Sequence, residues 1–112
     1  MTIHETLDAL EVALRSTKYP VRASGQEWPA GETVIAYELI GDTDIAATSY
    51  LASRVEVQID IYSRKKSVLQ TAESRLLAAI AGVWTKLRTN SLEYTEGWHR
   101  QSLDIETIRQ EV

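Results

Sequence analysis

An α+β domain is predicted, with about four mainly antiparallel strands and two helices packed on one face, in the order α-β-β-α-β-β. Three observations predict it. Two stretches repeat apolar residues at helical spacing, one long stretch alternates apolar and polar residues strictly, and the three remaining strand-like segments are flanked by glycines. No internal repeat or linker divides the 112 residues, so one domain covering 1–112 is expected. A folded chain of this size exposes about 6,200 Å² against about 18,300 Å² unfolded, which leaves enough burial for a single two-layer core.

Ile3, Leu7, Leu10 and Leu14 recur at helical spacing, widened by Ala9 and Ala13. Thr2 and Glu5 have the spacing of a capping box, and Lys18-Tyr19-Pro20 ends the element because a residue before proline is pushed out of helical geometry. The first helix is therefore expected over about residues 3–16. Its acids lie mostly in the first half and Arg15 near the end, which complements the helix dipole.

Residues 21–32, with Trp28-Pro29, Gly25 and Gly31, read as irregular. Thr33 to Ile40 is rich in β-branched and aromatic residues and reads as a strand, followed by a loop over residues 41–49. In YLASRVEVQIDIY, residues 50–62, Leu51, Val55, Val57, Ile59 and Ile61 share one face, interrupted by Ser53. Arg54, Glu56, Gln58 and Asp60 share the other. Such alternation marks a strand with one wet face. Thirteen extended residues reach about 43 Å, whereas a compact domain of this length is about 34 Å across. The strand must bend, bulge or project.

Ser67 and Gln70 form a second capping-box pattern, and Val68, Ala72, Leu76, Ala79, Ile80 and Val83 follow at helical spacing, giving a helix over about 67–81 stopped near Gly82. Leu92 to Thr95 and Trp98 to Arg109 read as strands around a Glu96-Gly97 turn. Leu103, Ile105 and Thr107 face one way there, and Arg100, Ser102, Asp104 and Glu106 the other.

Composition narrows the function. Charged residues at 25% and apolar residues at 44% are globular values and argue against a disordered chain. A formal charge of −4 argues against direct nucleic-acid recognition. With no cysteine there is no disulfide framework, thiolate metal site or cysteine nucleophile, and an intracellular origin is favoured. MTIHETLDALEVALRS lacks the build of a signal peptide, and no apolar run reaches the length of a membrane span, so a soluble protein is expected. Phenylalanine is absent, while five tyrosines and three tryptophans carry polar handles suited to half-buried positions and interfaces.

Catalytic materials are sparse. His4 and His99 fit no metal-ligating spacing and are expected as surface or edge residues. Asp42 and Asp44 lack the remaining ligands of a calcium loop and read as solvated turn acids, with a contact to a partner as the functional alternative. Arg64-Lys65-Lys66 is shorter than a nucleic-acid patch and reads as a solvated helix entrance rather than a phosphate site. No phosphate-cradling glycine pattern or GxSxG elbow occurs. Trp28 beside Pro29 is either an interface anchor or a lid over the core. Residues alone thus lead to a non-enzymatic α+β domain capable of self-association, with no catalytic residue, metal or cofactor expected.

The order and wording of the pieces resemble the tail terminator, or tail completion, proteins of phages with long non-contractile tails. The matching pieces are the N-terminal helix running into Lys18-Tyr19-Pro20-Val21, then WPAGETVIAYELIG, then RVEVQIDIYSRKKSVLQTAESRLLAAI with its strand ending in DIYS, and finally GWHRQSLDIETI after a glycine turn. The resemblance covers nearly the whole chain and implies a structural virion protein at the head-proximal end of the tail, present in the host cytoplasm during assembly. It implies a homohexameric ring that caps the completed tail tube, stops its polymerisation and offers a surface for head–tail joining. The implied partners are further copies of the chain, the tail tube protein and a head-completion protein, with no nucleic acid and no membrane. The interface candidates are Trp28, Asp42, Asp44, Arg64, Lys65 and Lys66, the acids being expected on a loop at the ring's rim or pore. The alternatives are a head-completion or connector protein of the phage neck, a small dimeric ligand-binding module and, last, an enzyme built from scattered Asp, Glu and Tyr.

Overall fold

The computed structural model describes residues 2–45, 52–90 and 93–110, the side chains of 93–95 excepted. The chain forms helix α1 (Ile3–Arg15), strands β1 (Val21–Ala23), β2 (Thr33–Ile45) and β3 (Ala52–Ser63), helix α2 (Lys66–Ile80), and strands β4 (Thr85–Thr89), β5 (Glu93–Thr95) and β6 (Trp98–Gln110). Five strands lie side by side in the order β1-β2-β3-β6-β4, and β5 pairs with β6 as well. The expected α+β class and two helices hold. The expected four strands become six, and the sheet is mixed because β1 runs parallel to β2.

The strongest local patterns match their elements closely. In α1 the Thr2 hydroxyl accepts from the Glu5 N–H at 3.1 Å while the Glu5 carboxylate accepts from the Thr2 N–H at 3.0 Å, completing the expected capping box. Val55, Val57, Ile59 and Ile61 of β3 are buried with Leu103 and Ile105 of β6 and Ile35 of β2. Leu10 and Leu14 of α1, with Leu69, Ala72, Leu76 and Ile80 of α2, close this core from a single side of the sheet.

The structure departs from expectation at four places. Residues 21–32 are not irregular throughout, because Val21–Ala23 pairs with Ile35–Tyr37. Three residues are too few to show a period, so only the pairing makes them a strand. Thr85–Thr89 is a strand although all five residues are exposed, since β6 supplies its ladder without any apolar alternation. The cap expected at Ser67 is absent: α2 begins at Lys66, and Lys65 holds the N-cap position without a side-chain bond. There the Ser63 hydroxyl accepts from the Lys65 N–H at 3.1 Å and bonds to the Thr33 hydroxyl at 2.9 Å.

The fourth departure concerns the loop expected over 41–49. Gly41–Ile45 instead continues β2, paired with Ala52–Glu56 after a register shift between Leu39 and Gly41. The bulge at Ile40 inverts the alternation, so that Asp42 and Asp44 fall on the helix-facing side opposite Val55 and Ser53. Residues 46–49, with Tyr50 and Leu51, lie outside the described residues, as does Leu92.

The length mismatch in the long strand is resolved by projection. Extents of 50 × 24 × 23 Å show β2, β3 and β6 running out together as a ribbon. The second face of the sheet is drier than its alternation implies, for Val34 is fully buried there and Ser102 and Asp104 nearly so.

Candidate functional site

At one end of the second sheet face, Trp28 meets Tyr62 edge-on with ring centres 5.0 Å apart and Trp98 at 6.1 Å. Tyr62 pairs across strands with Val34, so the Trp28 segment accounts for the dry end of this face. Trp28 thus packs over the face away from the helices, not over the core, and it keeps 44% of its surface exposed. Three guanidinium groups stack on these rings: Arg64 over Trp98 at 4.1 Å, Arg22 over Trp28 at 5.2 Å and Arg100 over Tyr62 at 5.9 Å. Burial, reinforced by the nearby Asp60 charge, pushes the Tyr62 phenol above its usual range.

Arg64 is steered into place by the β5–β6 turn, where the Glu96 carbonyl accepts from its Nη1 at 3.2 Å. Gly97 leaves room for it, since a Cβ there would stand 2.6 Å from that nitrogen. All three residues of the run Arg64-Lys65-Lys66 are exposed at the entrance to α2, as a solvated entrance requires, but they are held differently. Arg64 is stacked, Lys65 pairs loosely with Glu32 at 3.6 Å, and Lys66 is exposed at the mouth of a shallow groove of about 590 Å³. In that groove Gln101 Nε2 donates to the Glu73 carboxylate at 2.8 Å, and the Thr89 hydroxyl donates to the same oxygen at 3.2 Å, so α2 is tied to the sheet there.

Asp42 and Asp44 lie at the opposite end of the strands, on the ribbon. Arg109 grips Asp42 with both Nη2 and Nε, at 2.7 and 3.3 Å, and its side chain is only 10% exposed. The Ser53 hydroxyl donates to Asp44 at 3.0 Å. These acids are held on a strand by neighbours, not displayed on a loop. The six sequence candidates thus separate into two sets, Trp28 with Arg64, Lys65 and Lys66 at one end and Asp42 with Asp44 at the other.

Between the ends, the second face carries a cross-strand lattice of charge. Arg88 bridges Asp104 at 2.9 Å and Glu56 at 3.9 Å, Arg54 meets Glu106 at 3.5 Å, and Arg100 meets Asp60 at 3.4 Å. Asp60 also accepts from Ser102 and Gln58. Acids and bases here pair with one another, as expected of opposed charges on paired strands, although one buried carboxylate oxygen, Asp104 Oδ1, has no hydrogen-bond partner among the described residues. Among the described residues no three His, Cys, Asp or Glu side chains are grouped to hold a metal. His4 is exposed on the first turn of α1 and His99 is half-buried on β6. Sequence reasoning missed Tyr62, Trp98, Arg22 and Arg109. Their only signal was residue type, because the contacts span loops and strands far apart in the chain.

No protein-family model matches the chain, and no curated protein matches it. Among solved structures it is similar to a chain of the virion of the native gene transfer agent particle, with a TM-score of 0.64 and 12% identity over 93% of each chain. That likeness is one of fold.

Proposed function

We propose that the chain is a structural protein of a phage-like virion, forming a homohexameric ring on the finished tail tube. The ring stops tube polymerisation and offers the surface on which the head docks. One observation carries the reading: a whole-chain fold likeness to a protein of the gene transfer agent virion, a phage-like particle. The resemblance of the sequence to tail terminators supplies the narrower role.

A ring between tube and head needs two docking surfaces, and the interface candidates lie at two ends of the strands. Trp28 and Arg64 with Lys65 and Lys66 give one end the tryptophan and arginine content typical of binding hot spots. At the other end Asp42 is paired with Arg109, which leaves Asp44 as the carboxylate that in six copies would steer a basic partner in a salt-sensitive manner. In this reading the protein has no catalytic activity, uses no cofactor, and resides at the head-proximal end of the tail after assembling in the host cytoplasm.

The test is to polymerise the cognate tail-tube protein with and without this chain. Tubes that stop growing, carry a ring at one end and then accept heads support the proposal. A ring found on head connectors but never on tubes would replace it with the head-completion role. A dimer that binds neither would replace it with a small binding module.

A further inference from the structure

Both sides of the sheet end in strands that lack a partner among the described residues. β1 covers the outer side of β2 only at Ile35–Tyr37, leaving Glu38–Ile45 open. On the far side β4 is the terminal strand, and Thr85–Thr89 is exposed throughout. Such edges invite pairing with another chain unless they are blocked. Neither described edge contains a proline, and both carry exposed apolar side chains, Leu39 and Ile40 on β2 and Leu87 on β4.

The two edges are level with each other. One cross-strand row runs Glu38–Gln58–Asp104–Arg88, the next Leu39–Val57–Ile105–Lys86, and a third Gly41–Glu56–Glu106–Thr85. Each row therefore begins on one open edge and ends on the other. Each edge also carries one bulge, at Ile40 between the second and third rows and at Leu87 between the first and second. The chemistry is complementary in the first of these rows, whose ends Glu38 and Arg88 are opposite in charge. The polarity matches too. β2, β3, β6 and β4 alternate in direction, so β4 of one copy set beside β2 of the next is antiparallel.

We infer that the occupant of these edges is a second copy of this chain: β4 of each subunit pairs with the Glu38–Ile45 edge of its neighbour, making one continuous sheet. This deepens the ring proposal and rests on it. Rows that start and finish level need rotation without translation, and a head-to-tail contact repeated by pure rotation closes into a ring instead of a filament. The free length of β2 exceeds β4, which leaves room for the stagger that tilted strands require. Glu38 of one subunit then stands level with Arg88 of the next across the join.

The chain has no cysteine, so cross-linking reports the join directly. Ile40→Cys and Leu87→Cys alter exposed residues, and within one chain they stand about three strand spacings, roughly 14 Å, apart. A bis-maleimide shorter than that should link the two variants when they are mixed in the assembled state, and should link neither variant to itself. The double variant should give a ladder ending at the ring size. As a second route, Glu38→Arg and Arg88→Glu should each weaken assembly about tenfold, roughly 1.4 kcal/mol, and an equal mixture of the two should restore it. Rings that form but neither cross-link nor respond to the charge exchange overturn the edge pairing while leaving the ring standing. Self-linking of either single variant overturns it in favour of a two-fold contact. A chain that remains monomeric even with tail tubes present overturns both the pairing and the ring.

Discussion

The Tyr37 hydroxyl donates to the Glu11 carboxylate at 2.7 Å, fastening β2 to α1 above the core. The bond perturbs both groups. Donation from Tyr37 is the main influence holding the Glu11 carboxyl below its ordinary value of 4.5, helped by Arg15 and opposed by burial. Burial first, and then the Glu11 charge, pushes the Tyr37 phenol far above its ordinary value of 10.0.

The sign of the pH dependence follows for each partner. Glu11 has a depressed folded-state pKa, so its contribution is present above about pH 4.5 and lost as pH falls through the lower folded value. Tyr37 has a raised one, so its contribution is present below about pH 10 and lost as pH rises towards the higher folded value. Tyr37→Phe should cost about 1 kcal/mol at neutral pH. The gap from wild type should narrow in acid, as Glu11 protonates, and again in strong alkali. Urea unfolding across pH checks this, and a gap unchanged between pH 7 and pH 3 would refute the assignment.

The β5–β6 turn offers a stability gain. Glu96 at φ 53° and Gly97 at φ 83° are both left-handed and are enclosed by the Thr95–Trp98 pair, the geometry of a type I′ hairpin. Asparagine tolerates the first position far better than glutamate, so Glu96→Asn should stabilise by about 0.5–1 kcal/mol. Gly97→Ala should destabilise by about 1 kcal/mol, from left-handed strain and from displacing Arg64 off Trp98. Melting temperatures should move in opposite directions, and the tryptophan emission should change only for Gly97→Ala.

The two ribbon acids should behave differently. Asp42→Asn removes the carboxylate that Arg109 grips through two nitrogens in a mostly buried setting, and should cost about 1–2 kcal/mol. Asp44→Asn keeps an oxygen able to accept from Ser53 and should stay within about 0.5 kcal/mol of wild type. Denaturant unfolding measures both, and amide exchange at Ser53 should quicken only in Asp42→Asn. Equal effects would mean that the Arg109 pair does not anchor the ribbon.

The elements legible in the sequence are those whose burial has a local period. Ile3 to Leu14, Val55 to Ile61 and Val68 to Ile80 each present one apolar side to the core, and that side recurs every two residues or every three to four whatever the rest of the chain does. The Thr2–Glu5 cap and the Glu96-Gly97 turn were equally legible, because their chemistry is complete within a few residues.

The sequence by itself thus determined the α+β class, both helices and the central strand. Tertiary structure alone decided that Val21–Ala23 and Thr85–Thr89 are strands, because backbone pairing with β2 and β6 makes them so without an apolar period. It also decided that Asp42 and Asp44 lie on a strand and not a loop, and which side they face, because β2 continues past a bulge at Ile40 that reverses its alternation. The Asp42–Arg109 pair joins residues 67 positions apart, and Trp28 finds Tyr62 and Trp98 only once three strands are in register. A residue's own neighbours dictate its period of burial, but its partner across the sheet is chosen by register, a property of the whole assembly of strands.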